Sequence, residues 1–582
     1  MHVENLAHFS AETHFEADLV IVGGGPAGLS VARELRRAPL RILIVESGLL
    51  EEAPEATELS TLESIGEPSA PQQIEKRIAF HGANSRSWAQ DRQPYGVRCR
   101  ALGGSTHAWA GKSAAFDGID FEERAWVPQS GWPIERSCLD PFLERAADIL
   151  NLGPNRYDDT LWTLLGISPP EPQLTAQGLR SFFWQFSRSR IDPLDIMRFG
   201  ADFLRLDGDN VRILLNATAT RIDLTQEGDA FRGVEIATTD GQRHTVHARA
   251  AVIAGGGIEN ARLLLASNMV HANGVGNQYD LVGRFLMDHA GARIARFGGP
   301  NANRIMRRFG FYGLRNRRGT SMYMHGLAIT PEIQEREHLL NSAIYFMPEH
   351  AADDPWDAVK RLLTGKSKRQ VKDIMRAVAG AGLLGKGAAM KLISSDRLPL
   401  AVKDFVVQAA IRYMPNVAAD DFLSRGVPHK VTDVWIDAIS EQRPDPDSRI
   451  TLSETTDRLG LPLPRVNWRI NADERRTIMR LGHIVESAFA QAQLPKPILE
   501  PWVVEGTYND AVIIDMAHSM GTTRMSASAR SGVVDEHCQV HGVRNLYVAG
   551  SSVFPTSGHA NPTLMIVAFA VRLADRIRQT ML

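Results

Sequence analysis

The stretch that most constrains the fold is Ala17–Gly48, "ADLVIVGGGPAGLSVARELRRAPLRILIVESG". Asp18–Val22 is a continuous apolar run of strand length, Leu29–Arg37 has helical periodicity, and Arg41–Val45 is a second apolar run. Strand, helix and strand in this order predict a βαβ unit, which opens a parallel sheet of the α/β class.

The turn between the first strand and the helix carries the pattern G-x-G-x-x-G at Gly23, Gly25 and Gly28. Gly23 permits the tight turn, Gly25 lets a pyrophosphate approach the backbone, and Gly28 lets the helix pack closely on the strand. The helix N-terminus then faces the phosphates. Glu46 ends the second strand, where a carboxylate can hold the hydroxyls of a ribose. These residues predict a dinucleotide site, but they do not separate NAD from FAD.

The composition sets outer limits on the protein. A chain of 582 residues that is 44% hydrophobic is too long for one core, so we expect two domains or one large composite. A net charge of −2 gives no reason to expect a nucleic-acid partner. Cys99, Cys138 and Cys538 form no CxxC pair, which favours a reducing, cytoplasmic compartment and argues against a zinc site or any other metal centre. We see no secretory signal and no apolar run of membrane-spanning length.

A second candidate site lies near the C-terminus, in "SGHANPTLM". His559 and Asn561 flank one alanine, and the apolar spacing after Pro562 predicts a helix as far as Ile577. Asn561 before Pro562 is typical of an N-cap and first-turn pair. The positive end of that helix could also stabilise an anion. The pattern alone leaves open whether His559 or Asn561 carries chemistry.

Several motifs then agree in order along most of the chain. Together they resemble those of the glucose–methanol–choline (GMC) family of FAD-dependent oxidoreductases, although the stretch from about 295 to 440 carries none of them. The motifs are "VIVGGGPAGL" with Glu46, "LGGST" (Leu102–Thr106), "SGWPI" (Ser130–Ile134), "AGGGIENARLLLAS", "LVGRFLMDH" (Leu281–His289), "HSMGTTRM" (His518–Met525) and "NLYVAGSSVFPTSGHANPTLM".

The resemblance implies FAD as the cofactor and an α/β fold, α+β overall. A Rossmann-like FAD-binding domain would be assembled from the discontinuous segments 15–135, 206–290 and 510–582. A substrate domain with a sheet over the flavin would take 136–205 and 291–509. Beyond the residues of the glycine motif and Glu46, the implied FAD-binding positions are Gly103, Gly104, Ser105, Ala219, Gly550, Ser551 and Pro562.

The resemblance also implies catalytic positions. The family's histidine in an "H-x-x-G-T-x-R-M"-like motif falls on His518, and its second position, a His or an Asn, falls on Asn561. His559 lies two residues earlier and becomes a neighbouring candidate. Alcohol oxidation removes a hydroxyl proton and sends a hydride to flavin N5. An imidazole suits the role of base near pH 7, whereas an asparagine amide can only orient the substrate oxygen.

The resemblance further bears on how FAD is held. Some family members attach FAD covalently through a histidine at the position of Ala108. Here His107 lies one residue earlier, and a one-residue shift in extended backbone turns a side chain to the opposite face. We therefore expect noncovalent FAD. The aspartate that often precedes "SVFP" is replaced at Gly550, where a backbone N–H such as that of Ser551 would serve instead.

The expected activity is FAD-dependent oxidation of an alcohol to a carbonyl, with oxygen or another electron acceptor. A sugar, glycoside or polyol is the first expectation for the substrate, on the likeness of "GGSTHAWAG" and "TSGHANPTLM" to sugar-oxidising members. One alternative is a lyase like the family's hydroxynitrile lyases, which bind FAD without redox turnover. The other is a membrane-docked dehydrogenase subunit that passes electrons to a partner.

The membrane alternative depends on one basic stretch, residues 360–403. It holds eleven Lys or Arg against Asp373 and Asp396, a local charge of +9 in a near-neutral protein. Apolar residues are interleaved with these charges, as in a segment that lies on an anionic membrane surface. A solvated helix face or a lid would have the same composition.

Overall fold

The computed structural model of the chain describes most of its residues. They build two large β-sheets, one small sheet and the helices that pack on them. The described residues are 1–82, 85, 88–350, 354–363, 370–382, 384–385, 399–424 and 431–582.

The strands are numbered along the chain within the described residues. They are β1 (His2–Asn5), β2 (His14–Val22), β3 (Ile42–Val45), β4 (Glu63–Ser64), β5 (Lys112–Ser113), β6 (Leu179–Phe186), β7 (Val211–Leu215), β8 (Thr218–Leu224), β9 (Phe231–Ala237), β10 (Arg243–Ile253), β11 (Ala290–Gly298), β12 (Phe311–Asn316), β13 (Gly319–Ile329), β14 (Ser342–His350), β15 (Val431–Ser440), β16 (Arg449–Thr456), β17 (Pro462–Asn467), β18 (Ile498–Leu499), β19 (Ile514–Asp515) and β20 (Leu546–Val548).

The α-helices of the same residues are numbered in the same way. They are α1 (Pro26–Leu35), α2 (Pro54–Glu58), α3 (Pro71–Gly82), α4 (Asp140–Ile149), α5 (Thr160–Leu165), α6 (Phe199–Phe203), α7 (Gly256–Ala266), α8 (Pro300–Arg308), α9 (Pro331–Glu337), α10 (Pro355–Leu363), α11 (Gln370–Ala379), α12 (Leu400–Tyr413), α13 (Pro415–Ser424), α14 (Ala472–Gln491), α15 (Pro501–Glu505) and α16 (Thr563–Met581).

The first large sheet has the order β1-β7-β3-β2-β10, and these strands run parallel. β20 adds a further parallel strand beside β10, and β9 and β8 continue the sheet in antiparallel fashion. β2 and β3 are buried almost throughout, which explains their continuous apolar sequences. Helix α1 connects them and packs on α16. The predicted Rossmann-like α/β sheet is therefore confirmed.

The glycine turn between β2 and α1 shows why the helix lies so close to the sheet. Gly23 has a positive φ of 106°, and a Cβ built there would meet the carbonyl oxygen of Ala254 at 2.6 Å. A Cβ on Gly28 would lie 2.1 Å from the carbonyl oxygen of Gly23. Gly25 differs, because the nearest atom to its Cβ would be Gly104 Cα at 4.0 Å. Two glycines therefore serve packing, and Gly25 leaves space beside the helix.

The second large sheet is antiparallel, in the order β18-β11-β15-β14-β13-β6-β5. Its strands alternate between two faces. On β14, Ile344 and Phe346 join the apolar cluster that α14 covers, with Leu481 and Phe489 of that helix. Tyr345, between them in sequence, turns to the opposite face and lines a cavity shared with the first sheet. A sheet over the cofactor site, as predicted, is present.

Three short strands do not follow the predicted domain limits. β1 joins the first sheet although it precedes residue 15, where the predicted FAD-binding domain begins. β5 and β19 pair in the second sheet although they lie within segments predicted for the FAD-binding domain. The residue numbers at which the two predicted domains begin and end therefore stay a prediction.

The basic stretch 360–403 is only partly described. Within it, the end of α10, all of α11 and the start of α12 are helical. Residues 364–369, 383 and 386–398 of the predicted membrane-contact segment lie outside the described residues. No helix in the described part of the chain is long and apolar enough to cross a membrane.

Candidate active site

A cavity of about 750 Å³ lies between the two large sheets. Its volume falls within the range of about 300–1,000 Å³ that is common for ligand sites. At one end its wall contains Gly25 and Glu46, which follow strands of the first sheet. At the other end the wall contains His518 and Asn561. The cavity thus joins the N-terminal glycine motif to the C-terminal polar stretch.

Glu46 faces the glycine-motif end of the cavity. Its Oε2 accepts a hydrogen bond from the backbone N–H of Gly24 at 2.8 Å, and its Oε1 accepts one from Gly48 N–H at 2.8 Å. Burial raises the pKa of Glu46, and the two backbone donors act in the opposite direction. Each carboxylate oxygen keeps a second lone pair, so the group can still accept a pair of ribose hydroxyls.

The start of α1 forms the adjacent wall. Gly25 is the N-cap residue of α1 and no side chain caps the helix there, so its first N–H groups suit an anion. Gly104 packs against this turn, because its Cβ would lie 3.0 Å from Gly25 Cα. Gly103, at φ 108°, lies behind the wall, where its Cβ would meet the Gly200 nitrogen at 2.7 Å. Ser105 lines the cavity next to them.

The remaining predicted cofactor positions are also near the cavity. Ala219 of β8, Gly550, Ser551 and Pro562 all line it. A Cβ on Gly550, whose φ is 112°, would meet no atom within 4 Å, so that side of the residue is open. The Ser551 hydroxyl donates to the carbonyl oxygen of Ser519 at 2.7 Å. An uncapped helix start, a carboxylate for a ribose and small residues between them fit a dinucleotide such as FAD.

His518 lies at the far end of the cavity between two polar partners. Its Nδ1 is 3.0 Å from Nδ1 of His289, and its Nε2 is 3.3 Å from Nδ2 of Asn561. His289 Nε2 lies 3.2 Å from the carbonyl oxygen of Ser557 and must be the donor there. His289 Nδ1 is then an acceptor, His518 Nδ1 carries the proton, and the lone pair of His518 Nε2 accepts a hydrogen bond from Asn561 Nδ2.

Both imidazoles are neutral at pH 7. Burial lowers the pKa of His518 well below its usual value, and the neighbouring His289 and Lys112 act in the same direction. Burial lowers the pKa of His289 to about 4. His289 was not among the predicted site residues, although it ends the quoted motif "LVGRFLMDH". The order of residues in that motif does not reveal its contact with His518.

Asp288 anchors the loop that carries His518. Its Oδ2 accepts from the backbone N–H of His518 at 2.9 Å and from the Tyr95 hydroxyl at 3.2 Å, and its Oδ1 accepts from Met516 N–H at 3.0 Å. Burial and the charge of Asp515 raise the pKa of Asp288 to about 8. Asp288 also escaped sequence prediction, because its partners come from two distant segments, around residue 95 and at 516–518.

His559 lies behind the cavity wall. It is fully buried, packs edge-on against Phe182 with ring centroids 4.5 Å apart, and is absent from the cavity lining. Its Nδ1 is 3.8 Å from Asp117 Oδ2, and neither ring nitrogen has a hydrogen-bond partner among the described residues. Burial lowers the pKa of His559 to about 3. The structure thus separates His559 from the pair formed by His518 and Asn561.

The predicted capping role of Asn561 is wrong. Helix α16 begins at Thr563 after Pro562, and no side chain caps it. Asn561 turns its amide toward His518, and its Oδ1 has no hydrogen-bond partner in the described residues. Asn561 itself contributes to the cavity wall, beside His518.

His107 points away from the cofactor space. Its Nε2 is 3.0 Å from the carbonyl oxygen of Leu102, and the residue does not contribute to the cavity wall, whereas Ala108 does. Among the described residues there is also no group of three or more His, Cys, Asp or Glu side chains arranged to hold a metal ion.

Comparison with known proteins gives a consistent result. Residues 204–291 and 444–570 match the N- and C-terminal family models described as GMC oxidoreductase. The chain is 23% identical to 2-methyl-1,2-propanediol dehydrogenase of Mycolicibacterium austroafricanum, over 97% of this chain and 95% of that protein. It is 24% identical to the fructose dehydrogenase large subunit of Gluconobacter japonicus, over 96% of this chain and 97% of that protein.

The fold is also shared with a solved structure. Pyridoxine 4-oxidase from Mesorbium loti superposes with a TM-score of 0.55 at 15% identity, covering 97% of this chain and 99% of that chain. The family matches and the curated relatives, rather than the fold alone, define a flavin-dependent oxidoreductase that acts on CH–OH groups. The chain thus carries matches to both the N- and the C-terminal domain of the GMC oxidoreductase family.

Proposed function

We propose that the protein oxidises a primary or secondary alcohol to a carbonyl compound with noncovalently bound FAD. His518 accepts the hydroxyl proton, and Asn561 orients the substrate oxygen. The observation that carries this proposal is the convergence of His518 Nε2 and the Asn561 amide, 3.3 Å apart, in the cavity that begins at the glycine motif.

The residues divide the work of binding and proton transfer. The start of α1 and Glu46 would hold the pyrophosphate and a ribose of FAD, which accepts the hydride of the substrate carbon when bound. His289 keeps the proton of His518 on Nδ1, so Nε2 is the basic atom. Asp288 fixes the backbone of His518. The Asn561 amide holds the substrate oxygen beside Nε2, which shortens the search for a reactive geometry.

The substrate proposal rests on the relatives. The two relatives described above are named for 2-methyl-1,2-propanediol and for fructose. These names support a sugar, glycoside or polyol as the substrate of this chain. The noncovalent mode is supported by Ala108 in the wall and by His107 turned to Leu102. Acid precipitation of the purified protein is expected to release the yellow cofactor into the supernatant; colour in the washed pellet would contradict this.

The central test is anaerobic reduction of the flavin. A panel of alcohols, sugars and polyols is mixed with the holoenzyme, and loss of flavin absorbance is followed. Bleaching by an alcohol supports oxidation, whereas cleavage of a cyanohydrin without bleaching would support the lyase alternative. Readmission of oxygen then distinguishes an oxidase, whose colour returns at once, from an enzyme that uses another acceptor.

The free cysteines fit the proposed cytoplasmic location.

A second proposal concerns an electron partner at a membrane. In α11, Val371, Ile374, Met375 and Val378 are 51–73% exposed and follow the spacing i, i+3, i+4 and i+7, which forms an apolar stripe. The exposed Lys372 lies next to this stripe. An apolar face with adjoining positive charge suits an anionic lipid surface.

Vesicle sedimentation tests the membrane proposal. Vesicles with anionic lipid should carry the protein into the pellet, and Ile374→Glu should reduce that fraction severalfold. Met269→Glu is the matched control, because Met269 is 76% exposed and lies outside α11. Equal loss in both variants, or no binding by the unaltered protein, would contradict a lipid contact through α11.

A further inference from the structure

The ammonium group of Lys112 lies in the cavity wall and takes no part in the proposed proton transfer or cofactor binding. Lys112 begins the short strand β5 and pairs in register with Phe186 of β6. Its ammonium Nζ lies 4.1 Å from the ring centroid of Trp184 and 3.8 Å from that of Tyr345. These rings come from β6 and β14 and cross at 76°. The ammonium is therefore held in a fixed notch between two aromatic faces.

Lys112 has lost most of its water without gaining a counter-ion. No carboxylate lies within ion-pair distance of Nζ among the described residues, since Asp437 acts on it only at longer range and pairs instead with Arg293 at 3.5 Å. Desolvation lowers the pKa of Lys112 to about 7. An ammonium charge with little water around it and no counter-ion is unfavourable unless an anionic ligand neutralises it.

The wall around Lys112 is otherwise mostly apolar. It includes Phe186, Met324, Met347 and Ile439, all from the second sheet. Lys112 also lies close enough to His518 and His289 for its charge to lower their pKa values. Because Lys112 and His518 line the same cavity, one molecule can reach both side chains.

We infer that Lys112 is a substrate-recognition residue whose ammonium binds a carboxylate carried by the alcohol. The inference rests on the proposed function and narrows its substrate to hydroxy acids, such as sugar acids. A single ammonium in an apolar wall matches a monoanion. A phosphate dianion would call for a second cation or a guanidinium fork, and the three guanidinium groups of this cavity, those of Arg98, Arg100 and Arg262, are already paired with Glu259.

Matched substrate pairs test the inference. D-gluconate with D-glucitol, glycerate with glycerol, and 3-hydroxybutyrate with 1,3-butanediol each differ by one carboxylate. In anaerobic flavin reduction by the holoenzyme, the acid of at least one pair should act at a concentration about tenfold lower than its neutral partner. Lys112→Met should raise the half-saturating concentration of that acid about 10–100-fold and change the neutral alcohol less than about threefold.

Two variants control for packing. Lys112→Arg keeps the charge and should retain part of the preference for the acid. Lys76→Met removes another half-buried lysine near Asp437 that lies outside the cavity wall, and should leave both members of each pair unchanged. Equal use of acid and neutral partner by the unaltered protein, or equal weakening of both by Lys112→Met, would overturn the inference.

The pH dependence supplies a separate readout. Lys112 is charged below pH 7 and loses its charge above it, so the acid should bind more weakly as the pH rises from 7 to 9. The other groups that face Lys112 are Asp437, His518, His289 and His559; the histidines are already neutral in that range. In Lys112→Met this dependence should vanish, and its persistence would contradict the inference.

Failure of the proposed function is distinguishable from failure of this inference. If no alcohol bleaches the flavin, the proposed oxidation is wrong, and the same acids are then titrated as ligands while the flavin spectrum is recorded. A spectral change with the unaltered protein that Lys112→Met abolishes would still support carboxylate binding at Lys112. The absence of any difference between the two proteins would overturn it.

Discussion

The two ends of the cavity are built by different means. The cofactor end consists of backbone and small residues from consecutive positions, with Gly25 at the start of α1 and Glu46 at the end of β3. The substrate end consists of large side chains from distant segments, including His518, Asn561 and Lys112. The first end excludes side chains so that a phosphate can approach. The second depends on the identity of each side chain, so substrate choice can change there while cofactor binding is kept.

The largest expected effect is at the substrate end. His518→Ala should lower the rate of flavin reduction about 10²–10⁴-fold, because general-base catalysis is typically worth that much. The variant should still bind FAD, since the glycine motif is untouched. Stopped-flow reduction and the flavin-to-protein absorbance ratio measure the two properties. A nearly unchanged rate would show that another group takes the proton.

At the cofactor end, a substitution should weaken FAD binding itself. Gly25→Val should lower FAD affinity about 10–100-fold, because the side chain would enter the phosphate space and cost a charge-assisted hydrogen bond. The apoprotein should remain folded, since an added Cβ there meets nothing closer than 4.0 Å. Gly28→Val is the contrasting variant, because its Cβ would overlap the Gly23 carbonyl and destabilise the fold itself. Circular dichroism and FAD titration separate these outcomes.

A smaller effect is expected for His289. His289→Leu removes the acceptor that holds the proton on His518 Nδ1, so flavin reduction should slow about tenfold, the value of one hydrogen bond. A second readout is the pH profile of reduction, which should shift because the basic atom is no longer fixed. A slower rate with an unchanged profile would assign His289 a purely structural role.

The smallest effect on rate is expected for His559, which should instead affect stability. The pKa of His559 in the folded protein is about 3, below the unfolded value near 6.5, so between these values only the unfolded chain binds the proton. Stability therefore falls as the pH drops below about 6.5, by about 1.4 kcal/mol per pH unit for this group.

His559→Leu should accordingly reduce the loss of melting temperature between pH 7 and pH 5, while flavin reduction stays within about threefold of the unaltered protein. Differential scanning calorimetry at several pH values measures this. His289 and His325 have folded pKa values of about 4 and about 3 and contribute in the same direction, so part of the pH dependence should remain. A steeper dependence in the variant would contradict the assignment.

The cofactor end of the cavity was predictable from the sequence to a greater extent than the substrate end. The βαβ unit and Glu46 were predictable because their geometry is set by neighbouring residues. The contact between His289 and His518 joins residues 229 positions apart, and nothing in either motif specifies it. Lys112 was unremarkable in the sequence because its aromatic notch comes from β6 and β14.

Local rules also gave one wrong prediction. Asn561 before Pro562 has the residue types of a helix N-cap, yet its amide turns to His518. A tertiary contact with the imidazole outweighed a preference worth about 1 kcal/mol. Asn561→Ala should therefore affect substrate orientation more than helix stability.

The position of β20 has a consequence for the order of folding. During synthesis the chain emerges from its N-terminus, so β2, α1 and β3 are available long before residue 546. β20 pairs with the end of β10 at Ala251–Ile253, and until then that part of the β10 edge has no neighbour. Asn561 arrives later still. The nascent chain can thus assemble most of the nucleotide end first, and the reactive end is completed only after β20 and Asn561 have been synthesised.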